Sequence, residues 1–319
     1  MLGDSLQGVG QLELNGNQDV LVDLPLAGGS RRVKIAENNK ALPHDRYYFM
    51  YHHFHNALET DLDIGAPGVA RSSLDRFVIG LEKTFRDNLW SVDLRMPFVS
   101  DYGYAAPGFA VEGGDVGNLS VTLKRLLLAS DTCAVAAGLG IDTPTGHDVT
   151  VRVGPDQLAV RNGAVYLSPY VGFLTTPGDR LFCHGFLQVD VPAGGNRVEL
   201  SNAPGARLHD QTLMYLDVSA GYWLYRNRGA ARLTGLAPMV EFHYTTTLDD
   251  ADLVTGTLDG ADFQLGNLLN RVDVVNLTVG LHAEVAGRTT VRAAGVFPLE
   301  SRPERFFDAE FQLSINRRF

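Results

Sequence analysis

The chain has 319 residues, 45% of them apolar and 20% charged, a balance that fits neither a disordered polymer nor a bundle of membrane helices. Its formal net charge is −10 and no basic stretch stands out. That excludes nucleic acid as a partner, because nothing could neutralise the phosphates, but not a membrane whose contact surface is uncharged.

The opening MLGDSLQGVGQLEL has neither the basic n-region nor the apolar h-region of a signal peptide, and a processed or truncated chain would look the same. The segment NQDVLVDLPLAGGSRRVKIAENNKALPHDR matches no later pattern, so residues 1–44 are read as an N-terminal extension, periplasmic or lumen-entering. From 45 to 319 the sequence alternates. Twelve candidate strands lie near 45–56, 73–85, 90–98, 116–129, 133–142, 164–175, 181–191, 212–225, 234–245, 272–285, 289–298 and 306–319. In WSVDLRMPF, Trp90, Val92, Leu94, Met96 and Phe98 share one face, and Ser91, Asp93 and Arg95 the other. Asp131 interrupts the longest apolar run, so no stretch supplies the ~20 residues of a spanning helix. Cys133 and Cys183 fall at apolar positions without metal-ligand spacing and read as buried or lipid-facing.

The connections alternate between long (57–72, 99–115, 143–163, 192–211, 246–271) and short (86–89, 130–132, 176–180, 286–288). An up-and-down meander with tight turns on one rim and extended loops on the other gives this parity; a Greek-key sandwich has no reason to. Twelve strands enclose a lumen too wide for apolar side chains to fill, since about eight already leave an interior just wide enough for packing. The apolar faces therefore point outward to lipid. The polar faces, with Arg76, Glu82, Asp93, Arg95, Lys124, Glu241, His243, Glu284, Arg292 and Glu310, line a hydrated or salt-bridged interior. Phe85, Trp90, Phe98, Tyr222, Tyr244, Phe297 and Phe307 sit near strand ends, where interfacial girdles belong. Residues 45–319 are thus read as an all-β transmembrane barrel of about twelve strands, with short periplasmic turns and long extracellular loops.

Phe319, preceded at odd spacing by Ile315, Leu313 and Phe311, resembles the C-terminal signal of bacterial outer-membrane β-barrels, with Arg317 standing where that pattern usually has an apolar residue. The resemblance implies the outer membrane as location and the barrel-assembly machinery as partner. VAAGLGIDTPTGHD (135–148), with GDVGNLSVTLKRLLL before it and VYLSPYVGF after it, is similar to the family named after the MetA pathway of phenol degradation, from about residue 90 onward. That similarity implies an outer-membrane protein passing hydrophobic or aromatic compounds, with no cofactor.

Other constellations have plainer readings. In YHHFH, His53 and His55 share a face that His52 does not, so at most two could ligate one ion, and the spacing supplies no third ligand. Glu241, His243, His282, Glu284 and Arg292 lie on polar faces of three late strands and are expected to form a salt-bridged patch rather than an acid–base site. The acidic DDAD and DGAD of 246–271 lack the EF-hand spacing and suit a solvated loop folding over the mouth. Tyr166, Tyr170, Phe182, Phe186 and Trp223 take lumen parity and form either a stripe for a hydrophobic solute or packing. The lumen residues expected to set selectivity are Arg76, Asp93, Arg95, Lys124, Tyr166, Tyr170, Glu241, His243, His282, Glu284, Arg292 and Glu310. The leading function is a passive channel with lipid and a small solute as partners. The alternatives are an occluded structural or surface-binding barrel, or a lipid hydrolase needing an outward Ser–His pair.

Overall fold

The computed structural model describes residues 1–2, 4, 10–15, 20–24, 32–62, 68–100, 103–106, 108–201 and 203–319. Two short strands, β1 (Gly10–Asn15) and β2 (Val20–Leu24), come first. The wall of the molecule begins with β3 (Arg46–Leu62), β4 (Gly68–Phe85) and β5 (Trp90–Val99). A loop hairpin, β6 (Gly103–Ala106) and β7 (Phe109–Glu112), leads to wall strands β8 (Ser120–Ala129) and β9 (Cys133–Asp142). A second, β10 (Val149–Val153) and β11 (Asp156–Arg161), precedes wall strands β12 (Val165–Thr175) and β13 (Leu181–Ala193). A third, β14 (Asn196–Leu200) and β15 (Ala206–Leu208), precedes β16 (Leu213–Tyr222). The short β17 (Tyr225–Arg226) lies beside wall strand β18 (Leu233–Thr247). The fourth loop hairpin, β19 (Leu253–Leu258) and β20 (Ala261–Gly266), is followed by β21 (Asp273–Val285), β22 (Thr289–Pro298) and β23 (Ala309–Arg318).

The wall strands pair antiparallel in sequence order, and the last closes on the first, with Ile315 opposite Phe49 and Leu313 opposite Tyr51. This is a closed twelve-stranded barrel with no free edge in its wall. Its faces are inverted relative to a soluble barrel. Ile79, Val279, Leu281 and Phe297 are half exposed or more, while Arg95, Lys124, Glu241 and His243 are fully buried. An apolar exterior around a charged interior is stable only where lipid replaces water outside. Aromatic rings mark the short-turn rim: Tyr47 stacks on Phe319 and Phe85 on Trp90, with ring centroids 6.1 and 6.3 Å apart. Arg317 also belongs to this rim. It points outward from the end of β23 and donates to Thr289 Oγ1 at 2.7 Å, where its charge reaches the headgroups.

Local chemistry fixes the tight turns. Ala286 and Gly287 (φ 50° and 66°) join β21 to β22, and Asp259 and Gly260 (φ 48° and 78°) join β19 to β20. The second is a two-residue turn and the first includes Arg288 as well; in both, two successive left-handed residues match the twist of the strands they connect.

The connections expected as long loops are themselves sheet. The hairpins after β5, β9 and β13 assemble into one six-stranded sheet, and β1, β2, β19 and β20 pair into a second, tied to the end of β3 through β2. The sheets meet face to face through alternating apolar residues, among them Leu12, Val22, Val151, Leu158, Val198 and Phe263. A two-layer lid therefore stands at the long-loop end. Leu158 is fully buried there, so Leu158→Ala should destabilise the lid by about 2–5 kcal/mol. Hydrogen exchange should accelerate in 109–112, 149–161 and 253–266 and stay unchanged in the wall strands.

One expected girdle residue is placed differently. Phe307 is buried and packs edge-on against the lumen-side Phe54 at 5.5 Å, because the pleat of β23 begins only at Ala309. The residue between them, Asp308, accepts from Arg305 and from Asn56 Nδ2 (2.7 Å), and these hydrogen bonds hold its carboxyl down to about 2. They pin the 299–308 connection to a bulge in β3.

Candidate functional site

The lumen is the site, and the chain's own beginning occupies it. Residues 1, 2, 4 and 32–42 run inside the barrel before β3 starts at Arg46, and Asn38 N–H donates to the Leu2 carbonyl at 3.0 Å. Nothing in this segment repeats with period two or 3.6, so it builds neither strand nor helix. Its polar backbone groups must then find partners on the wall. Val33 N–H donates to Asp142 Oδ2 (3.0 Å), Ile35 N–H to Gln188 Oε1 (2.7 Å), and Leu2 N–H to both Glu241 oxygens (2.8 and 3.0 Å).

Charges are matched level by level. Nearest the lid, Arg32 lies 3.4 Å from Asp190 and over the ring of Tyr166, whose hydroxyl donates to Asp210. Next, Lys34 Nζ binds Asp4 and lies 3.0 Å from Asp217, which His243 Nδ1 also meets at 2.7 Å. Asp4, Asp217 and His243 have their ligand atoms within 4.8 Å of one another, and the cation serving them is Lys34. Below, Glu37 accepts from Arg76 and faces His52 Nε2 at 3.1 Å, while His52 Nδ1 meets Glu310 at 2.6 Å. Arg95 pairs with Asp93 (3.0 Å) and donates to the Lys34 carbonyl (3.2 Å). Toward the short turns, Lys124 Nζ bridges Glu82 and Asn39, and Arg46 donates to Asn38 O and Asn316 Oδ1. Buried ions in such number persist only when paired and hydrogen-bonded.

All twelve sequence-predicted lumen residues face inward, with Glu284 and Arg292 only partly buried. They do not form the single patch expected of the late strands. Glu241 and His243 join the Lys34 level, whereas His282 and Arg292 (Arg292 Nε to His282 Nδ1, 3.0 Å) lie nearer the short turns beside Glu284. Met1 and Leu2 come between them, since Arg292 donates to the Met1 carbonyl and Glu241 accepts from Leu2. Sequence reasoning missed Lys34, Asp4, Glu37 and Asn38, for which no pattern exists. It left His52, Asp190 and Asp217 out of the selectivity set, although strand parity puts them on the lumen face.

The inward aromatics form a column along one wall. Tyr166 stands nearest the lid, Tyr170 and Phe186 pair at 6.2 Å in the middle, and Phe182 and Trp223 pair at 5.4 Å near the short turns. Met1 and Ile35 cover the middle pair. Glycines make room for the rings: a Cβ on Gly221 would lie 2.2 Å from the Phe182 ring, and one on Gly138 2.6 Å from that of Tyr170. Outside, His55 Nδ1 and Ser73 Oγ are 3.4 Å apart. That is long for an activating hydrogen bond, and Ser73 Oγ already accepts from Asn56 N–H.

No family model and no curated relative matches the chain. Among solved structures, an outer-membrane channel from Pseudomonas putida F1 is similar with TM-score 0.56 and 12% identity, over 90% of this chain and 100% of that one. The β domain of the Bordetella autotransporter BrkA is similar with TM-score 0.50 and 13% identity, over 86% of this chain and 100% of that one. These likenesses show the fold alone: a closed antiparallel β-barrel of the bacterial outer-membrane kind.

Proposed function

We propose that the chain is a bacterial outer-membrane channel, closed as it stands here, that passes small hydrophobic or aromatic molecules once the segment inside the lumen shifts. The short-turn rim then faces the periplasm and the lid faces outside. The supporting observation is the aromatic column from Tyr166 to Trp223, which offers ring surfaces from the lid end of the wall to the short turns. The covering segment combines hydrogen bonds and ion pairs, which water can replace, with small apolar contacts of Met1, Leu2, Ile35 and Ala41. Arg76, Lys124, Glu310 and the other inward charges would set selectivity. Phe311, Leu313, Ile315 and Phe319 would present β23 to the barrel-assembly machinery, a reading consistent with the outward exposure of Phe319. Membership of the MetA-pathway family of phenol degradation, expected from residues 135–148 and matched by no family model, would carry the same substrate class.

A second reading, a barrel that never conducts, draws on the double closure by lid and lumen segment. Entry of toluene or benzoate into proteoliposomes decides between them: uptake of at least one above that of protein-free vesicles is expected, and uptake of neither would leave the non-conducting barrel. The lipid-hydrolase reading requires ester cleavage that Ser73→Ala abolishes; none is expected.

A further inference from the structure

The ion pairing that fills the upper lumen stops short of the periplasmic mouth. A cavity of about 240 Å³ opens there, lined by five cationic side chains and one carboxylate, Glu284. Arg46 is matched by Glu82 at 2.9 Å, and Glu284 is nearest His282, at 4.0 Å. Lys40, Arg226, Arg292 and Arg318 form no ion pair among the described residues. Arg226 and Arg318 instead donate to backbone carbonyls, and Arg292 to the Met1 carbonyl and the Asn38 amide oxygen. In a chain of net charge −10 this excess of positive charge is local and calls for an anion. Aromatic rings adjoin these cations, and the Arg226 guanidinium lies over the Trp223 ring at 5.3 Å. Phe182 packs on Trp223, and Trp223 stands perpendicular to the His282 ring at 5.4 Å. The buried His184, also lining the cavity, leaves Nδ1 without a hydrogen-bond partner among the described residues.

We propose that this cavity binds a one-ring aromatic carboxylate, its ring against Phe182 and Trp223 and its carboxylate among Lys40, Arg226, Arg292 and Arg318. The size fits, because ligand pockets run from about 300 Å³ upward for drug-sized molecules and this one is smaller. So does the chemistry, because a bidentate guanidinium is the group best suited to a carboxylate. The inference rests on the channel reading and narrows its substrate to anions, which need a protein path because charge crosses a bilayer core at high cost.

The test uses the full chain in detergent micelles with benzoate as probe. The chain has two tryptophans, so Trp90→Phe leaves Trp223 as the sole reporter. Saturable quenching by benzoate is expected, with benzyl alcohol and acetate each at least tenfold weaker. Lys40→Gln with Arg318→Gln, both away from the wall's ion pairs, should weaken benzoate at least tenfold. Equal binding of benzyl alcohol, equal binding of acetate, an unchanged affinity in the double variant, or no saturable quenching would each overturn the proposal. Benzoate flux into proteoliposomes is measured separately: flux without binding sinks this site and leaves the channel, and binding without flux does the reverse.

Discussion

Lys34→Met should open the lumen. Lys34 is 3% exposed and is the cation shared by Asp4 on the lumen segment and Asp217 on β16, with Glu241 on the far side of His243. Removing one partner of a buried ion pair costs about 3–5 kcal/mol, because the remaining charges are left uncompensated. Here the remaining charges are carboxylates, left with His243, the Asn276 amide and the Leu2 N–H among their partners, and one of them rides on the segment that can leave. The wall's strand pairing does not pass through Lys34, so the cost falls on the closed arrangement rather than on the barrel. At ~1.4 kcal/mol per tenfold, such a cost shifts the closed-to-open ratio by roughly two to four orders of magnitude. In planar bilayers the variant should show sustained conductance at least tenfold above the parent, while the folded barrel still migrates faster than the heated chain on electrophoresis. Adding Asp4→Asn removes the repelled charge and should restore much of the closure. A Lys34→Met variant that is folded and as closed as the parent would mean that the segment is held by shape rather than by charge.

What was legible in the sequence follows from a single periodicity. Alternation places Arg95, Lys124 and Glu241 inside and Leu94, Val240 and Val279 outside without any knowledge of neighbours, and loop parity identifies the two rims. The partners of these charges were not legible, because they depend on strand register and on a segment with no register at all. Lys34 meets Asp217 from a stretch of chain far away in sequence, and nothing local in RRVKIAENNK marks it. The lid was hidden for a different reason. VTVRV alternates and DQLAVR holds a short apolar run, but five or six residues bounded by turns read as loop beside wall strands of ten or more. Phe307 shows the limit of the method: it keeps the parity of Phe311 in the sequence, yet it lies before the first residue of β23, where parity no longer fixes direction. The late-strand cluster of Glu241, His243, His282, Glu284 and Arg292 divides in two because one face of neighbouring strands extends over several turns of side chains, and Met1 and Leu2 come between the two halves.

Val279→Arg should destabilise the folded barrel by about 2–4 kcal/mol when measured by refolding into lipid vesicles, the cost of an arginine facing hydrocarbon near the bilayer midplane. Val279 lies midway along β21, opposite Val240 on β18 and Gly295 on β22, and is half exposed among Val240 and Leu281. The number discriminates because the same exposure on a water-soluble protein predicts the opposite outcome. There a half-exposed valine changed to arginine is usually within ~0.5 kcal/mol of neutral. Position controls the size of the effect as well. Arginine in place of Tyr47, at the aromatic rim, should cost ~1 kcal/mol or less, because it reaches the headgroups. A depth profile with its maximum at Val279 and its minimum at Tyr47 therefore locates the hydrocarbon slab on this wall. A flat profile would remove the membrane from the account, and with it the reason that charge is buried and leucine exposed.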